Sequence, residues 1–198
     1  SPGGSGRRGA RTGTLAPVRV ALAQLDTTAG DVRGNLERIL GAWERAKALG
    51  ADLVVVPELA LLGYPPRDLL LREGVVRAAL EATEALAHRT AGGPPLVVGT
   101  LARNPEQVGP ALVNAAVLLR AGRVEATYAK RLLPTYDVFD ERRYFAPGRG
   151  PLVVAVGERR LGLLVCEDLW SGDRPQGRRL YDADPPGALE CEARPVGR

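Results

Sequence analysis

The sequence contains no methionine, a single histidine and only two cysteines among its 198 residues. His88 lies inside a segment with a helical pattern, so a Cys-His protease mechanism is not expected. Cys166 and Cys191 occur in unlike surroundings, and a structural disulfide is not expected between them. Because the initiator methionine is absent, we expect a processed chain or a fragment.

Long apolar runs are also missing. No stretch approaches the roughly 18 to 20 uninterrupted apolar residues of a membrane span, and the N-terminus lacks the apolar segment of a secretory signal peptide. We therefore expect a cytoplasmic protein without a membrane partner. The formal charge is +4, and Arg7, Arg8 and Arg11 supply three of these charges. Such a short basic arm is unlike the aromatic-bearing basic face of a nucleic-acid-binding protein, and no nucleic-acid partner is predicted.

The apolar pattern predicts an α/β fold. A strand near residues 18–25 is followed by a helix that begins near Asp31 and ends at Gly50, and then by a strand over residues 53–56. Asp68 is predicted to cap a second helix that continues to about Thr90. Further strands are predicted at residues 96–101, 112–119, 124–130, 152–156 and 161–166.

Composition divides the chain into three parts. Residues 1–16 contain mostly Gly, Ser and Arg and predict a disordered arm. Residues 17–170 carry the strand and helix patterns and form the predicted domain. Residues 171–198 contain four prolines and no apolar run longer than two residues, so we expect an unstructured or aberrant tail.

Three chemically active side chains follow apolar runs. Glu58 comes after the valines at 54–56, Lys130 ends the run that begins at Val124, and Cys166 ends LGLLVC. Strand ends in layered α/β proteins converge on the crevice that binds ligands. A carboxylate, an ammonium and a thiol brought together there suggest acyl transfer: Cys166 attacks an amide carbonyl, Glu58 moves the thiol proton, and Lys130 stabilises the oxyanion.

All three groups are needed because the pKa of a cysteine thiol lies far above that of a glutamate carboxyl group. With ordinary pKa values near 8.5 and 4.3, moving the proton from thiol to carboxylate is uphill by roughly 6 kcal/mol. We expect burial of Glu58 and the charge of Lys130 to reduce that difference. Taken separately, each residue has a plainer interpretation: a buried structural cysteine, a solvated loop glutamate and a strand-end lysine facing water.

Three longer motifs resemble the nitrilase superfamily of carbon-nitrogen hydrolases. They are VVVPELALLGYPPRDLL around Glu58, YAKRLLPTYDVFDERRYFAPG around Lys130, and LGLLVCEDLW around Cys166. More narrowly, KRLLPTYDVFDERRYF together with CEDLW resembles the glutaminase domains of glutamine-dependent NAD synthetases. The resemblance covers residues 17–170.

The resemblance implies a nitrilase-like α-β-β-α sandwich that forms homo-oligomers, and we expect the sandwich to be incomplete at the C-terminus here. It implies that Glu58 is the general base, Lys130 the second triad member and Cys166 the nucleophile. Tyr136 matches a position that contacts the substrate glutamine, and Glu141 matches a second glutamate that supports the lysine. The backbone N–H of Glu167 would be a further oxyanion donor.

The family function implied is release of ammonia from L-glutamine. In such enzymes the ammonia passes to an ATP-dependent synthetase domain that amidates deamido-NAD. We expect that domain to be absent, so that ATP and Mg²⁺ have no role in this segment and no metal or other cofactor is needed. Two alternatives remain open, a free-standing amidase or nitrilase-type hydrolase and an inactive truncated fragment.

Overall fold

The structure is a computed structural model that describes residues 16–172 and 180–193. The predicted disordered arm therefore lies outside the described residues, apart from Ala16. The secondary structure consists of β1 Val20–Leu22, α1 Val32–Ala48, β2 Leu53–Val55, α2 Glu73–Arg89, β3 Leu96–Arg103, β4 Leu112–Arg120, β5 Arg123–Ala129, β6 Val153–Val156, β7 Arg159–Gly162 and α3 Pro185–Ala193. In the described part of the chain, short 3-10 helices occur at Arg67–Leu71, Glu141–Arg143 and Cys166–Trp170.

The predicted start of the first helix is confirmed. The Asp31 carboxylate accepts a hydrogen bond from the Gly34 backbone N–H at 2.9 Å, which satisfies one of the unpaired donors of the first turn of α1. At the other end Gly50 has φ +72°, a left-handed conformation that costs glycine little. Trp43 on the buried face of α1 donates its indole N–H to the Pro94 carbonyl oxygen at 2.9 Å and so joins the helix to the segment entering β3.

Five strands form one sheet in the order β1-β2-β3-β4-β5. The first three are parallel, whereas β4 runs antiparallel to β3 and β5 antiparallel to β4. Strand β5 consequently points in the same direction as β2 and β3. The C-terminal ends of β2 and β5 and the N-terminal part of β4 therefore lie at one edge of the sheet.

Each face of this sheet is covered by a different layer. Helices α1 and α2 pack on one face through a core that includes Ile39, Leu86 and Val98. On the other face, Val97 and Leu118 belong to a core shared with the two-stranded sheet β6-β7. This layered mixed α/β architecture confirms the predicted fold class. In the described part of the chain no helix is long and apolar enough to cross a membrane.

Two predicted element boundaries are wrong. Asp68 does not cap a long helix, because it lies in the 3-10 helix Arg67–Leu71 and α2 begins only at Glu73. Its carboxylate instead accepts a hydrogen bond from the Tyr144 hydroxyl. The last predicted strand also ends early, since β7 stops at Gly162 and Cys166 begins a 3-10 helix.

The interpretation of residues 171–198 as unstructured is wrong where α3 forms. Pro185 suits the first turn of a helix because its fixed φ is helical and its missing N–H has no partner to lose there. The helix lies against β6, β7 and the 3-10 helix that contains Cys166, and Leu189 contacts Gly162. Ser171 Oγ also donates to Asp184 Oδ1 at 2.9 Å. Residues 173–179 and 194–198 of this predicted tail lie outside the described residues.

Candidate active site

Glu58 follows β2, on a loop that crosses directly over Gly99 of β3. A Cβ atom at Gly99 would lie 2.2 Å from the Pro57 carbonyl oxygen and 2.7 Å from the Glu58 Cα. Only a residue without a side chain leaves room for the loop at this point. The side chain of Glu58 keeps 17% of its surface exposed.

Lys130 follows β5 and has no exposed surface. Its Nζ donates to Glu58 Oε1 at 2.8 Å and to Glu141 Oε1 at 2.9 Å. The backbone is fixed as well, since the Lys130 N–H donates to the Asn114 carbonyl oxygen at 2.8 Å. The structure thus brings together the predicted Glu58, Lys130 and Glu141 in one buried charge cluster.

Two side chains that sequence reasoning missed complete this cluster. Asn114 Nδ2 donates to Glu58 Oε1 at 2.6 Å and approaches Glu141 Oε2 at 3.4 Å, while its Oδ1 is buried without a partner among the described residues. Tyr64 donates its hydroxyl to Glu141 Oε1 at 3.1 Å. The signal for Asn114 was available, because it is the one polar residue inside the apolar run LVNAAVLL.

Opposing effects set the charges of the cluster. Burial disfavours the Lys130 ammonium, but the negative charges of Glu58 and Glu141 more than offset this, so the pKa of Lys130 is raised. Burial also raises the pKa of Glu141, although Lys130 acts in the opposite direction. A lysine held charged between two carboxylates is the result, with Glu58 the more accessible of the two.

Cys166 begins the 3-10 helix after β7 with φ +46°, a left-handed conformation that side-chain-bearing residues rarely adopt. The residue is exposed. Even so, partial burial of the thiol, together with the charge of Glu58 and a hydrogen bond to it, raises the pKa of Cys166 to about 11. Lys130 lowers this pKa, as expected, but it does not dominate. At neutral pH the sulfur therefore carries its proton.

The other two predicted residues, Tyr136 and Glu167, contact each other. The Glu167 side chain is buried, and its Oε2 accepts a hydrogen bond from the Tyr136 hydroxyl at 2.9 Å. Its Oε1 accepts from the hydroxyl of Tyr181 at 2.7 Å. Tyr136 itself is 48% exposed, so its ring is available to a ligand. The contact with Tyr181 was missed because residues 171–198 were expected to have no structure.

A cavity of about 380 Å³ adjoins the charge cluster at Tyr64 and Glu141. Its other walls come from the loop before α2 and from the segment 137–145, and Cys166 is not among its lining residues. Within residues 16–172 and 180–193, no group of three or more His, Cys, Asp or Glu side chains is arranged to hold a metal ion. The ammonium of Lys130, the two carboxylates bonded to it and the exposed thiol of Cys166 are groups that suit acid-base and thiol chemistry.

Comparison with known proteins bears directly on this arrangement. Residues 19–175 match the model of the carbon-nitrogen hydrolase family. The chain is 45% identical over 160 residues to the glutamine-dependent NAD(+) synthetase of Xanthomonas campestris pv. campestris, which covers 79% of this chain and 28% of that protein. It is 40% identical over 169 residues to the corresponding synthetase of Synechocystis sp., covering 84% of this chain and 30% of that protein. The chain thus spans less than a third of the length of these relatives.

Solved structures show the same likeness. The glutamine-dependent NAD+ synthetase of Acinetobacter baumannii superposes with a TM-score of 0.68 at 33% identity, over 77% of this chain and 28% of that one. A mutant of the amidase from Nesterenkonia sp. AN1, which shows the result of Michael addition of acrylamide at the active site cysteine, gives a TM-score of 0.62 at 32% identity, over 77% of this chain and 59% of that one. On the extent of the family match, this chain belongs to the carbon-nitrogen hydrolase family.

Proposed function

We propose that this chain hydrolyses the side-chain amide of L-glutamine with Cys166 as nucleophile, Glu58 as general base and Lys130 as the cation that supports both. The observation that carries the proposal is the buried Lys130 ammonium held between Glu58 and Glu141. Cys166 lies close enough to this cluster for the charge of Glu58 to raise the pKa of its thiol. The similarity to glutamine-dependent NAD(+) synthetases supports glutamine as the substrate.

The reaction begins with the thiol, because the pKa of Cys166 is about 11 and little free thiolate exists at neutral pH. As Cys166 Sγ bonds to the amide carbon, Glu58 takes the thiol proton. The carbon-nitrogen bond then breaks, and Glu58 passes the proton to the departing ammonia. Glu58 then takes a proton from water as the water oxygen bonds to the thioester carbon. The carbon-sulfur bond breaks, Glu58 returns the proton to the Cys166 sulfur, and glutamate is released.

The oxyanion that forms on the amide oxygen needs donors. We assign this role to the Glu167 backbone N–H and to Lys130, two of whose three N–H donors are already engaged by carboxylates. Since Lys130 has no exposed surface, its contact with the oxyanion requires the substrate carbonyl to displace side chains that cover it. Tyr136, half-exposed beside Glu167, is proposed to contact the glutamine.

The ammonia released is proposed to serve ATP-dependent amidation of deamido-NAD to NAD. The synthetase names of the relatives support this use, and the chain covers under a third of their length. ATP and Mg²⁺ would then act at the synthetase domain or partner that receives the ammonia, and no cofactor is assigned to this segment. A homo-oligomeric, cytoplasmic enzyme remains part of the proposal.

The test is ammonia release from L-glutamine by the purified chain, by Cys166→Ala and by Cys191→Ala. We expect Cys166→Ala to abolish release, and Cys191→Ala, which removes the other exposed cysteine, to leave it unchanged. Intact mass should show a glutamyl adduct on the wild type and on Cys191→Ala only. Turnover that persists without Cys166 would reject the mechanism, and a folded wild type without turnover or adduct would favour an inactive segment.

A second candidate, a free-standing amidase acting on other amides, is favoured by the likeness to the Nesterenkonia amidase, of which the alignment covers 59%. A panel of glutamine, asparagine, aliphatic amides and nitriles separates the two. Higher kcat/KM on glutamine supports the first proposal. Higher kcat/KM on aliphatic amides supports the second, and both predict the same dependence on Cys166.

A further inference from the structure

Asp168 is a buried carboxylate that none of the proposed chemical steps uses. It has no exposed surface and stands two residues after Cys166. Its Oδ1 accepts the backbone N–H groups of Arg131 at 3.0 Å and Leu132 at 2.8 Å. These are the two residues directly after Lys130, so this oxygen holds the segment that carries the lysine.

The second oxygen of Asp168 holds the segment that carries the thiol. Its Oδ2 accepts the backbone N–H of Val165 at 3.1 Å and the hydroxyl of Tyr128 at 2.8 Å. In return the Asp168 N–H donates to the Val165 carbonyl oxygen at 3.0 Å. Cys166 and Glu167 are thus enclosed in a turn that is closed by hydrogen bonds in both directions.

The hydrogen bonds of this turn matter because they hold Cys166 in an unfavourable backbone conformation. A non-glycine residue with positive φ costs of order 1–3 kcal/mol and persists only where its surroundings impose it. Cys166 has φ +46°. The reciprocal bonds between Val165 and Asp168 are the contacts that span this residue, and the same carboxylate fixes that turn relative to the chain after Lys130.

We infer that Asp168 is a positioning residue for amide hydrolysis: its carboxylate joins the turn that carries Cys166 to the segment after Lys130, and so keeps the thiol beside Glu58. This inference rests on the proposed function. Four donors converge on the two oxygens of Asp168, and a carboxylate is the side-chain group that presents an acceptor oxygen on each side.

The substitution Asp168→Asn separates the effect of the hydrogen bonds from the effect of filling the same space. Asparagine has the same shape as aspartate but one acceptor oxygen fewer. Its carbonyl oxygen should face Arg131 and Leu132, where an amide NH₂ would meet two donors. The NH₂ then faces Tyr128, whose hydroxyl can turn to accept, and Val165, whose N–H cannot. The bond lost is the one that holds the residue before Cys166.

The measurements are kcat and KM on L-glutamine and the alkylation rate of Cys166 by iodoacetamide across pH, located by peptide mass. We expect kcat to fall by about 100-fold with little change in KM, since small misplacement of a reacting group has that effect. The pKa of the thiol should fall from about 11 toward the ordinary value near 8.5, because a displaced thiol leaves Glu58 and gains water. Alkylation at pH 8 then becomes faster while hydrolysis becomes slower.

Tyr128→Phe is the matched control, because it removes one donor to the same oxygen and leaves all three backbone donors in place. We expect its kcat and thiol pKa to stay near those of the wild type. The inference is overturned if Asp168→Asn matches Tyr128→Phe in both quantities. It is also overturned if Asp168→Asn lowers kcat while the thiol pKa stays at the wild-type value, which would mean a structural role only.

The alkylation profile and one further measurement, amide hydrogen exchange, keep the test independent of the proposed function. If the wild type hydrolyses no amide, the proposed function fails, but the alkylation profile still reports whether Asp168 holds the thiol beside Glu58. If Asp168→Asn does not fold, amide hydrogen exchange on the wild type replaces it. The N–H groups of Val165, Arg131 and Leu132 should exchange slowly and at a common rate, and faster, separate exchange at Val165 would overturn the inference.

Discussion

Glu58 has two opposite effects on Cys166. As a base it is proposed to take the thiol proton, yet as a neighbouring negative charge it is the largest contribution after burial to the raised pKa of that thiol. The enzyme would therefore hold its nucleophile protonated at rest and generate the thiolate only as substrate is attacked. This differs from a Cys-His pair, in which a cationic partner stabilises the thiolate beforehand.

The substitution Glu58→Gln separates these two effects. Removing the negative charge should lower the pKa of Cys166 from about 11 by about 1 to 2 pH units, since the thiolate no longer faces a carboxylate. At pH 8 the variant should react faster with iodoacetamide. Its hydrolysis of glutamine should nevertheless fall by at least about 100-fold, because the base is gone. Alkylation rates between pH 6 and 11 measure the pKa of Cys166, and ammonia release measures glutamine hydrolysis.

Glu141→Gln is the control for Glu58→Gln. It makes the same chemical change on the other carboxylate bonded to Lys130, but Glu141 raises the thiol pKa less than Glu58 does. We expect a shift in the same direction and of smaller size. Equal shifts in both variants, or a pKa that does not move in Glu58→Gln, would contradict the assigned contact between Glu58 and Cys166.

At the scale of elements, the meeting of the site residues follows from strand direction. The chain reverses direction between β3 and β4 and again between β4 and β5, so β5 runs parallel to β2. Lys130 and Glu58 therefore both lie at the C-terminal ends of their strands, on the same side of the sheet. Asn114 reaches that side from the opposite direction, near the start of β4. The loop that carries Glu58 packs tightly over Gly99. This contact fixes the position of the Glu58 carboxylate relative to Lys130.

The substitution Gly99→Ala tests that crossing. Its Cβ would overlap the backbone at Pro57 and Glu58, so the loop must lift away from β3 and carry the Glu58 carboxylate from Lys130. We expect hydrolysis to fall by about 100-fold and stability by about 1–3 kcal/mol, the usual cost of overpacking. Ammonia release and urea unfolding measure these changes.

Gly74→Ala provides the comparison for Gly99→Ala. It lies in the first turn of α2, where an added Cβ would meet nothing within 4 Å. The substitution should leave hydrolysis unchanged and raise stability by about 0.5–1 kcal/mol, because alanine favours the helix. Wild-type activity in Gly99→Ala would contradict the expected loss of hydrolysis, because it would mean that the loop can shift without displacing the Glu58 carboxylate.

The sequence-based prediction was accurate where periodicity governs structure. It located the start of α1 near Asp31, the strands that precede Glu58 and Lys130, and the strand at residues 152–156. The prediction failed where a few hydrogen bonds decide the local secondary structure. The 3-10 turn at Cys166 follows an apolar run that favours a strand, and the short helix α3 has no marked apolar face and begins with two prolines.

The residues missed at the site share a physical reason. Asn114 and Tyr64 bond to partners 27 to 77 positions away along the chain. Asp168 bonds to three donors that lie 36 to 40 positions before it. The fold alone brings these groups together. Spacing along the chain holds no trace of such pairs. Family resemblance supplied Glu141 and Tyr136, whereas Asp168 became visible only when its four donors were seen around it.

For the whole molecule, β1, one of the two outer strands of the five-stranded sheet, raises the question of association. Strand β1 has only one neighbouring strand among the described residues, which leaves its other side unpaired. Leu22 on this strand is 80% exposed and Val20 is 41% exposed. An apolar strand with an unpaired edge is a template for pairing with another chain. This is the surface through which we expect copies of the chain to associate.

The substitution Leu22→Lys tests this surface, because a charged side chain on an edge strand opposes pairing. We expect sedimentation velocity to show association of the wild type that rises with concentration, and a shift of Leu22→Lys toward monomer. The free energy of unfolding at low concentration should change by less than about 0.5 kcal/mol, as is usual for exposed positions. Val108→Lys is the matched control, since Val108 is 84% exposed but lies in the loop between β3 and β4. Equal loss of association in both variants would attribute it to net charge, and a wild type that stays monomeric would reject the edge of β1 as an interface.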